Sequence, residues 1–266
     1  MTYMSGASLQ SEPALRTASA ALGGSAQEGA VLRLAESVFD SPALRNEFYD
    51  RWASGPLSYP QVRVFAEQYL ARTINTSVMV ALSVLNTDNL EARVECVKNL
   101  YSEYGCGDVS KAHLVLLEAF LADLLSRLNG GPVAVEDLRR HQPIASTITF
   151  STGQRELFTS RDQRVVQGAL LAQEWLAYSM LVRLYEGVRH YKSFYLSEEE
   201  FHEACEYFYV HIGEAEKEHK IQAVRSAAQI CTDETDLDMV RGAFQNFLGL
   251  TEQYWAGVAD EMRRVA

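Results

Sequence analysis

The chain is short of the residues that staple or anchor a protein by themselves. Its four cysteines, Cys96, Cys106, Cys205 and Cys231, are scattered and form no CxxC pair. That excludes a disulfide framework and a thiolate zinc site. There is no apolar run of about eighteen residues, the length a membrane-spanning helix needs. Bases are outnumbered, 24 against 35 acids, and the resulting net charge of −11 repels nucleic acid. β-branched residues are few and do not alternate with polar ones, so no strand is predicted. The first 27 residues are rich in Ser, Ala and Gly, with Arg16 as their sole base, and lack the basic start and apolar run of a secretory signal. These absences predict a loose arm over residues 1–27, a single domain over 28–266, and a reduced, cytoplasmic setting with free thiols. Cys106, between two glycines, reads as incidental packing before it reads as a nucleophile.

What is present is helical periodicity. Hydrophobic residues make up 47% of the chain and charged residues 22%, enough to bury a core and bind a small molecule. Apolar residues recur at a period near 3.6 from Glu28 to Phe39 and, briefly, from Ser41 to Trp52. Ser58, with Pro60 in the first turn, caps a long segment to Leu85. Leu90 to Tyr104 comes next and stops at the glycines flanking Cys106, where Asp108 reads as a cap for the next helix. Lys111 to Leu128 closes at Gly130 and Gly131, and residues 131–149 read as loop and short turns. A long helix spans about Arg161 to Tyr191. Ser197 and Glu200 form a capping box that opens a helix through Tyr209 and His219 to about Ala228. The last helix runs from Leu237 to Arg264. The prediction is an all-α bundle of seven or eight helices.

Histidines are few, and their company separates them. His141 lies in a polar loop, His190 at a helix C-terminus where the dipole favours an imidazolium, and His202 among surface acids. His211 and His219 share one helix, about 80° apart in rotation and about 12 Å apart along the axis. A ligand between them is needed to complete a chelate, yet the central position on a regular helix is Ala215. Glu103 ends one helix and His113 begins the next, with a tight glycine turn able to swing both toward one point. Glu174 sits among Leu170, Leu171, Trp175, Leu176 and Met180, where a carboxylate is costly unless paired or bound to metal. The run between the two histidines also supplies Glu214, Glu216 and Glu218. With one of these, three carboxylates and three imidazoles from four helices suit non-haem iron or manganese.

Three blocks resemble the haem-oxygenase-like di-iron oxidases and oxygenases. NLYSEYGCGDVSKAHLVLLEAFL places a Glu and a His ten residues on, at Glu103 and His113. QEWLAYSMLVRLYEGV is similar to the helix with a mid-fold Glu, here Glu174. YFYVHIGEAEKEHK resembles the block in which a His precedes a carboxylate-x-x-His. One residue inserted after His211, absorbed as a π-bulge near Gly213, puts that pair on Glu216 and His219. Glu214 and Glu218 stay open as the carboxylate.

The resemblance implies a haem-oxygenase-like bundle holding two iron ions, Fe(II) cycling with Fe(III), and O2 as co-substrate activated as a bridging peroxide. It implies Glu103, His113 and Glu174 mainly at one iron and His211, Glu216 and His219 mainly at the other. Relatives of this kind oxidise a small aliphatic amino acid or amine, or fragment fatty acids, and an external electron donor or reductase accompanies such chemistry. For an amino-acid carboxylate, Arg183 or Lys217 is the expected anchor, chosen over Arg161, Arg164 and Arg189. Tyr69, Tyr178 and Tyr209 are expected as pocket lining or core aromatics. No nucleic acid or membrane partner is expected, and a homodimer fits a helical enzyme of this size. The superfamily also holds cofactor-free oxidases, thiamin-salvage hydrolases and haem oxygenases. The absence of any histidine before His113 argues against haem. A cofactorless enzyme using Cys106 or a glutamate, and a helical interaction protein, are the competing readings.

Overall fold

The structure, a computed structural model, describes residues 25–266 apart from Gly213, and no side chain of residues 214–218. Residues 1–24 of the expected arm therefore lie outside it. Helix α1 (Ala26–Glu36) begins two residues before the expected entry, because the Ser25 hydroxyl accepts the Glu28 N–H at 3.2 Å. It runs on as a 3-10 turn over Ser37–Asp40. Helix α2 (Glu47–Ala53) is capped by Asn46, and α3 (Tyr59–Thr73) by Ser58, whose N–H donates to Gln61 Oε1 at 3.1 Å.

The segment expected as one helix to Leu85 breaks after Thr73 and resumes as α4 (Thr76–Leu85). At the break the Thr73 hydroxyl bonds back to the Tyr69 carbonyl, an alternative to the helical ladder that β-branched polar residues offer. α5 (Leu90–Glu103) and α6 (His113–Asn129) form as predicted. The region predicted as loop holds a short α7 (Val135–Arg139) and then α8 (Ala145–Phe158). Ser, Thr and Gly are frequent in α8 and hide it from a propensity reading. Packing stabilises it instead: Phe150, Leu157 and Phe158 are buried, and Gly153 sits against Leu250.

α9 (Gln163–Val188) is the axis of the molecule and continues as a 3-10 stretch over Arg189–Phe194. It packs most extensively on the last helix, α13 (Glu234–Arg264), which in turn covers α8. The single helix expected from Ser197 is three: α10 (Glu198–Ala204), α11 (Glu206–Ile212) and α12 (Glu214–Ile230). The Ser197 half of the capping box forms, but the Glu200 carboxylate takes the Leu196 N–H and Arg127 instead. Every described residue is helix, turn or loop, with no strand among them, and the segments outnumber the seven or eight predicted.

All three tryptophans are fully buried, and Trp52 donates its indole N–H to the Leu184 carbonyl at 2.8 Å. No described helix is long and apolar enough to cross a membrane. One face is uncovered: Leu90, Val94, Val97 and Tyr101 form an exposed stripe along α5.

The thiols divide sharply. Cys106 is exposed, whereas Cys96, Cys205 and Cys231 are buried. Burial pushes the Cys205 thiol up to about 12 and Cys231 up to about 11, so both stay protonated near neutrality. Iodoacetamide at pH 8 is therefore expected to label Cys106 alone in the native protein, with all four reacting in denaturant, as counted by mass spectrometry. Rapid labelling of Cys205 would contradict this packing.

Candidate metal centre

The turn between α5 and α6 folds back on itself through Gly105, at φ +63°. A Cβ there would lie 2.5 Å from the Lys111 carbonyl carbon, so glycine is required. Asp108 closes the turn by accepting the Ser110 N–H at 2.9 Å. Cys106 adopts φ 55° and is exposed to solvent. The result is that Glu103 Oε1 and His113 Nδ1 stand 3.3 Å apart, both largely buried.

His211 arrives from the end of α11. Its Nδ1–H donates to the Tyr207 carbonyl at 2.7 Å, which fixes the ring and leaves Nε2 as a lone-pair donor. Its ring centroid lies 4.1 Å from that of His113. One ligand atom from each of Glu103, His113 and His211 can be chosen so that all lie within 4.8 Å of one another. His113 Nδ1 is buried without a properly aligned hydrogen bond. Two imidazoles and a carboxylate with an unsatisfied nitrogen among them fit non-haem ferrous iron. Burial pushes the Glu103 carboxyl up, but His113, then His211 and His219, pull it further down, so it remains a carboxylate.

Glu174 is buried on α9 and accepts a bond from Gln173 Nε2 at 3.4 Å. It lines a cavity with Glu103, His211, Tyr69, Tyr207 and Arg72, about 530 Å³ of unfilled space partly open to solvent. A second cavity, about 240 Å³, lies between Glu174 and His219. A third, about 300 Å³, is bounded by Glu103, His113, His211, Thr73 and Thr76. Five of the six expected ligands thus line one chain of adjoining spaces. The sixth, Glu216, with the alternatives Glu214 and Glu218 and the expected anchor Lys217, lies outside the described side chains. So does Gly213, the expected place of the inserted residue.

His211 joins Glu103 and His113, and His219 lines the second cavity together with Glu174. Other expectations are redistributed. Tyr69 lines the 530 Å³ space and shares a 3.0 Å hydroxyl contact with Tyr207. Tyr178 lies beneath the Lys220 ammonium, and Tyr209 bonds Tyr185 at 2.7 Å and His202. His141 sits 3.1 Å from Glu67, and His190 3.0 Å from the Ala53 carbonyl. Arg183 stands 5.9 Å over the Tyr49 ring, Arg164 pairs with Asp162 and Asp236, and Arg189 with Glu186. Sequence reading missed Arg72; its signal was a cation in the apolar run of α3.

No curated protein matches this sequence. Among solved structures, a CADD-like protein of unknown function from Nostoc punctiforme is similar at TM-score 0.72 and 20% identity, over 90% of this chain and 99% of that one. A TenA homologue from Pseudomonas syringae pv. tomato aligns at TM-score 0.70 and 14% identity, over 92% and 96%. A domain of unknown function with a haem-oxygenase-like fold from Shewanella denitrificans aligns at TM-score 0.63 and 14% identity, over 97% and 96%. At these identities the likeness establishes the fold. Residues 63–251, most of the chain, match a family model described as iron-containing redox enzyme. With a haem-oxygenase-like fold and a buried two-histidine, one-carboxylate cluster inside the matched span, the chain belongs to the family of iron-containing redox enzymes.

Proposed function

We propose that this protein is a di-iron, O2-dependent oxidase or oxygenase acting on a small aliphatic amino acid or amine. The observation that carries the reading is the buried triad of Glu103, His113 and His211, continuous through one cavity with Glu174 and, beyond it, His219. In this reading Glu103, His113 and His211 hold one iron. Glu174 and His219, with Glu216 from the same helix as His219, hold the other. Bound iron supplies the electrons that activate dioxygen, and an external donor restores the ferrous state.

The chain's own residues set the conditions. Glu103 keeps its negative charge and offsets the charge of the metal. The Tyr207 carbonyl holds the His211 tautomer. Gln154 donates to Gln173 at 3.2 Å, and Gln173 in turn to Glu174, fixing that carboxylate in an apolar wall of Leu176, Met180 and Leu181. The wall limits water beside a reactive centre.

Mössbauer spectroscopy of the protein loaded anaerobically with iron-57, then mixed with O2 and a panel of aliphatic amino acids, tests this. A magnetically coupled iron pair whose oxidation is accelerated by one amino acid is the expected result. Mononuclear iron alone, or activity unaffected by chelator, overturns the di-iron reading and favours a cofactorless enzyme on the same fold.

A further inference from the structure

Several arginines of this protein are held by carboxylates. Arg63 binds Glu67, Arg127 binds Asp123 and Glu200, Arg139 binds Glu118, and Arg164 binds two aspartates. Arg72, more deeply buried than any of these at 7% exposure, has no carboxylate partner among the described residues. Its guanidinium carbon lies 4.4 Å from the Phe150 ring centroid and 5.4 Å from that of Tyr254. Its Nε is buried without a hydrogen bond, as are the hydroxyls of Tyr49 and Tyr254. A guanidinium stays charged, and a buried unpaired charge is costly, so a cation kept in this state fits an anion that arrives from outside.

The cavity supplies the place. Arg72 lines the 530 Å³ space that also reaches Glu103, Glu174 and His211. Tyr69 and Tyr207, joined at 3.0 Å, line the same space, and the charges of Arg72 and Glu103 both act on them. A flat aromatic contact holds a guanidinium by its face and leaves its N–H edge for a planar, two-oxygen acceptor.

We propose that Arg72 anchors the carboxylate of the substrate, which is therefore a small organic acid, with its carboxylate at Arg72 and its chain directed toward Glu103, His211 and Glu174. The assignment to an amino acid rests on the oxidase reading above; the anion site itself stands on the cavity and on a guanidinium with no carboxylate partner among the described residues.

Calorimetric titration of the iron-loaded, anaerobic full chain with L-norleucine, hexanoate, hexylamine and dodecanoate tests it. Norleucine and hexanoate bind the unaltered protein and hexylamine does not. In Arg72→Gln both acids bind about ten- to hundredfold more weakly, the loss of a charge-assisted hydrogen-bonded pair, and Arg72→Lys keeps part of the affinity. Circular dichroism and iron content, measured on the same samples, stay unchanged. Unaltered norleucine affinity in a folded Arg72→Gln protein overturns the proposal. Equal binding of hexylamine, or no binding of any acid, also overturns it. Tighter binding of dodecanoate than of norleucine overturns the small-acid assignment. Arg72-dependent norleucine binding in protein that holds less than an iron pair supports the anchor while refuting the di-iron reading.

Discussion

His211→Ala is expected to remove iron from the Glu103–His113 side of the centre and to lower turnover by more than about a hundredfold. Loss of a group that merely orients a metal ligand costs about 10- to 100-fold in affinity or activity, and loss of the ligand itself exceeds that. His211 is placed for the larger effect. Its Nδ1–H is committed to the Tyr207 carbonyl, and its ring centroid lies 4.1 Å from that of His113. Iron content after anaerobic loading, read beside the circular dichroism melt, checks the prediction. A folded His211→Ala protein that keeps its full iron complement would refute the assigned triad. His211→Glu, which restores a donor at the same position, is expected to recover part of the iron.

Gly168→Ala is expected to destabilise the fold by about 3 kcal/mol, the upper end of the range for overpacking a core. A Cβ at Gly168 would lie 2.3 Å from the Val240 carbonyl oxygen and 2.9 Å from the Ala243 Cβ. The first obstacle is backbone, so no rotamer change relieves it, and α9 and α13 must separate along their main interface. The melting temperature should fall by about 6–12 °C for a domain of this size. The control is Gly242→Ala on α13, where no atom of the described residues lies within 4 Å of the added methyl. There alanine is expected to stabilise by about 0.5–1 kcal/mol through its helix propensity. Equal melting temperatures for the two variants would contradict the described packing of α9 on α13. Because Glu174 rides on α9, Gly168→Ala should also loosen iron retention, linking this packing to the site.

Much of the candidate site was legible because its signals are local. Glu103 and His113 flank a glycine turn, and whether two side chains meet across such a turn is decided within ten residues. Glu174 stood out because a carboxylate in an apolar run needs a reason. Arg72 carried the same kind of signal on α3 but was overshadowed by arginines nearer Glu174. What sets it apart is the position of acids on other helices, which no local pattern records. The grouping of His211 with His113 likewise depends on how α11 approaches α6.

The same boundary holds for the fold. Caps, glycine stops and a 3.6-residue apolar period determined that the chain is helical and where most helices begin, since those effects act within a turn or two of backbone. The break after Thr73, the subdivision beyond Ser197 and the existence of α8 were decided elsewhere. α8 in particular is poor in helix formers, and the burial of Phe150, Leu157 and Phe158, with Phe150 against Phe247 and Tyr254 of α13, outweighs that deficit. By itself the sequence determined an all-helical chain with candidate iron-ligating side chains in short blocks. Only the tertiary structure decided which of them converge, and that Arg72 stands beside them with no carboxylate partner among the described residues, because the distances between helices arise from packing contacts between residues far apart in the chain.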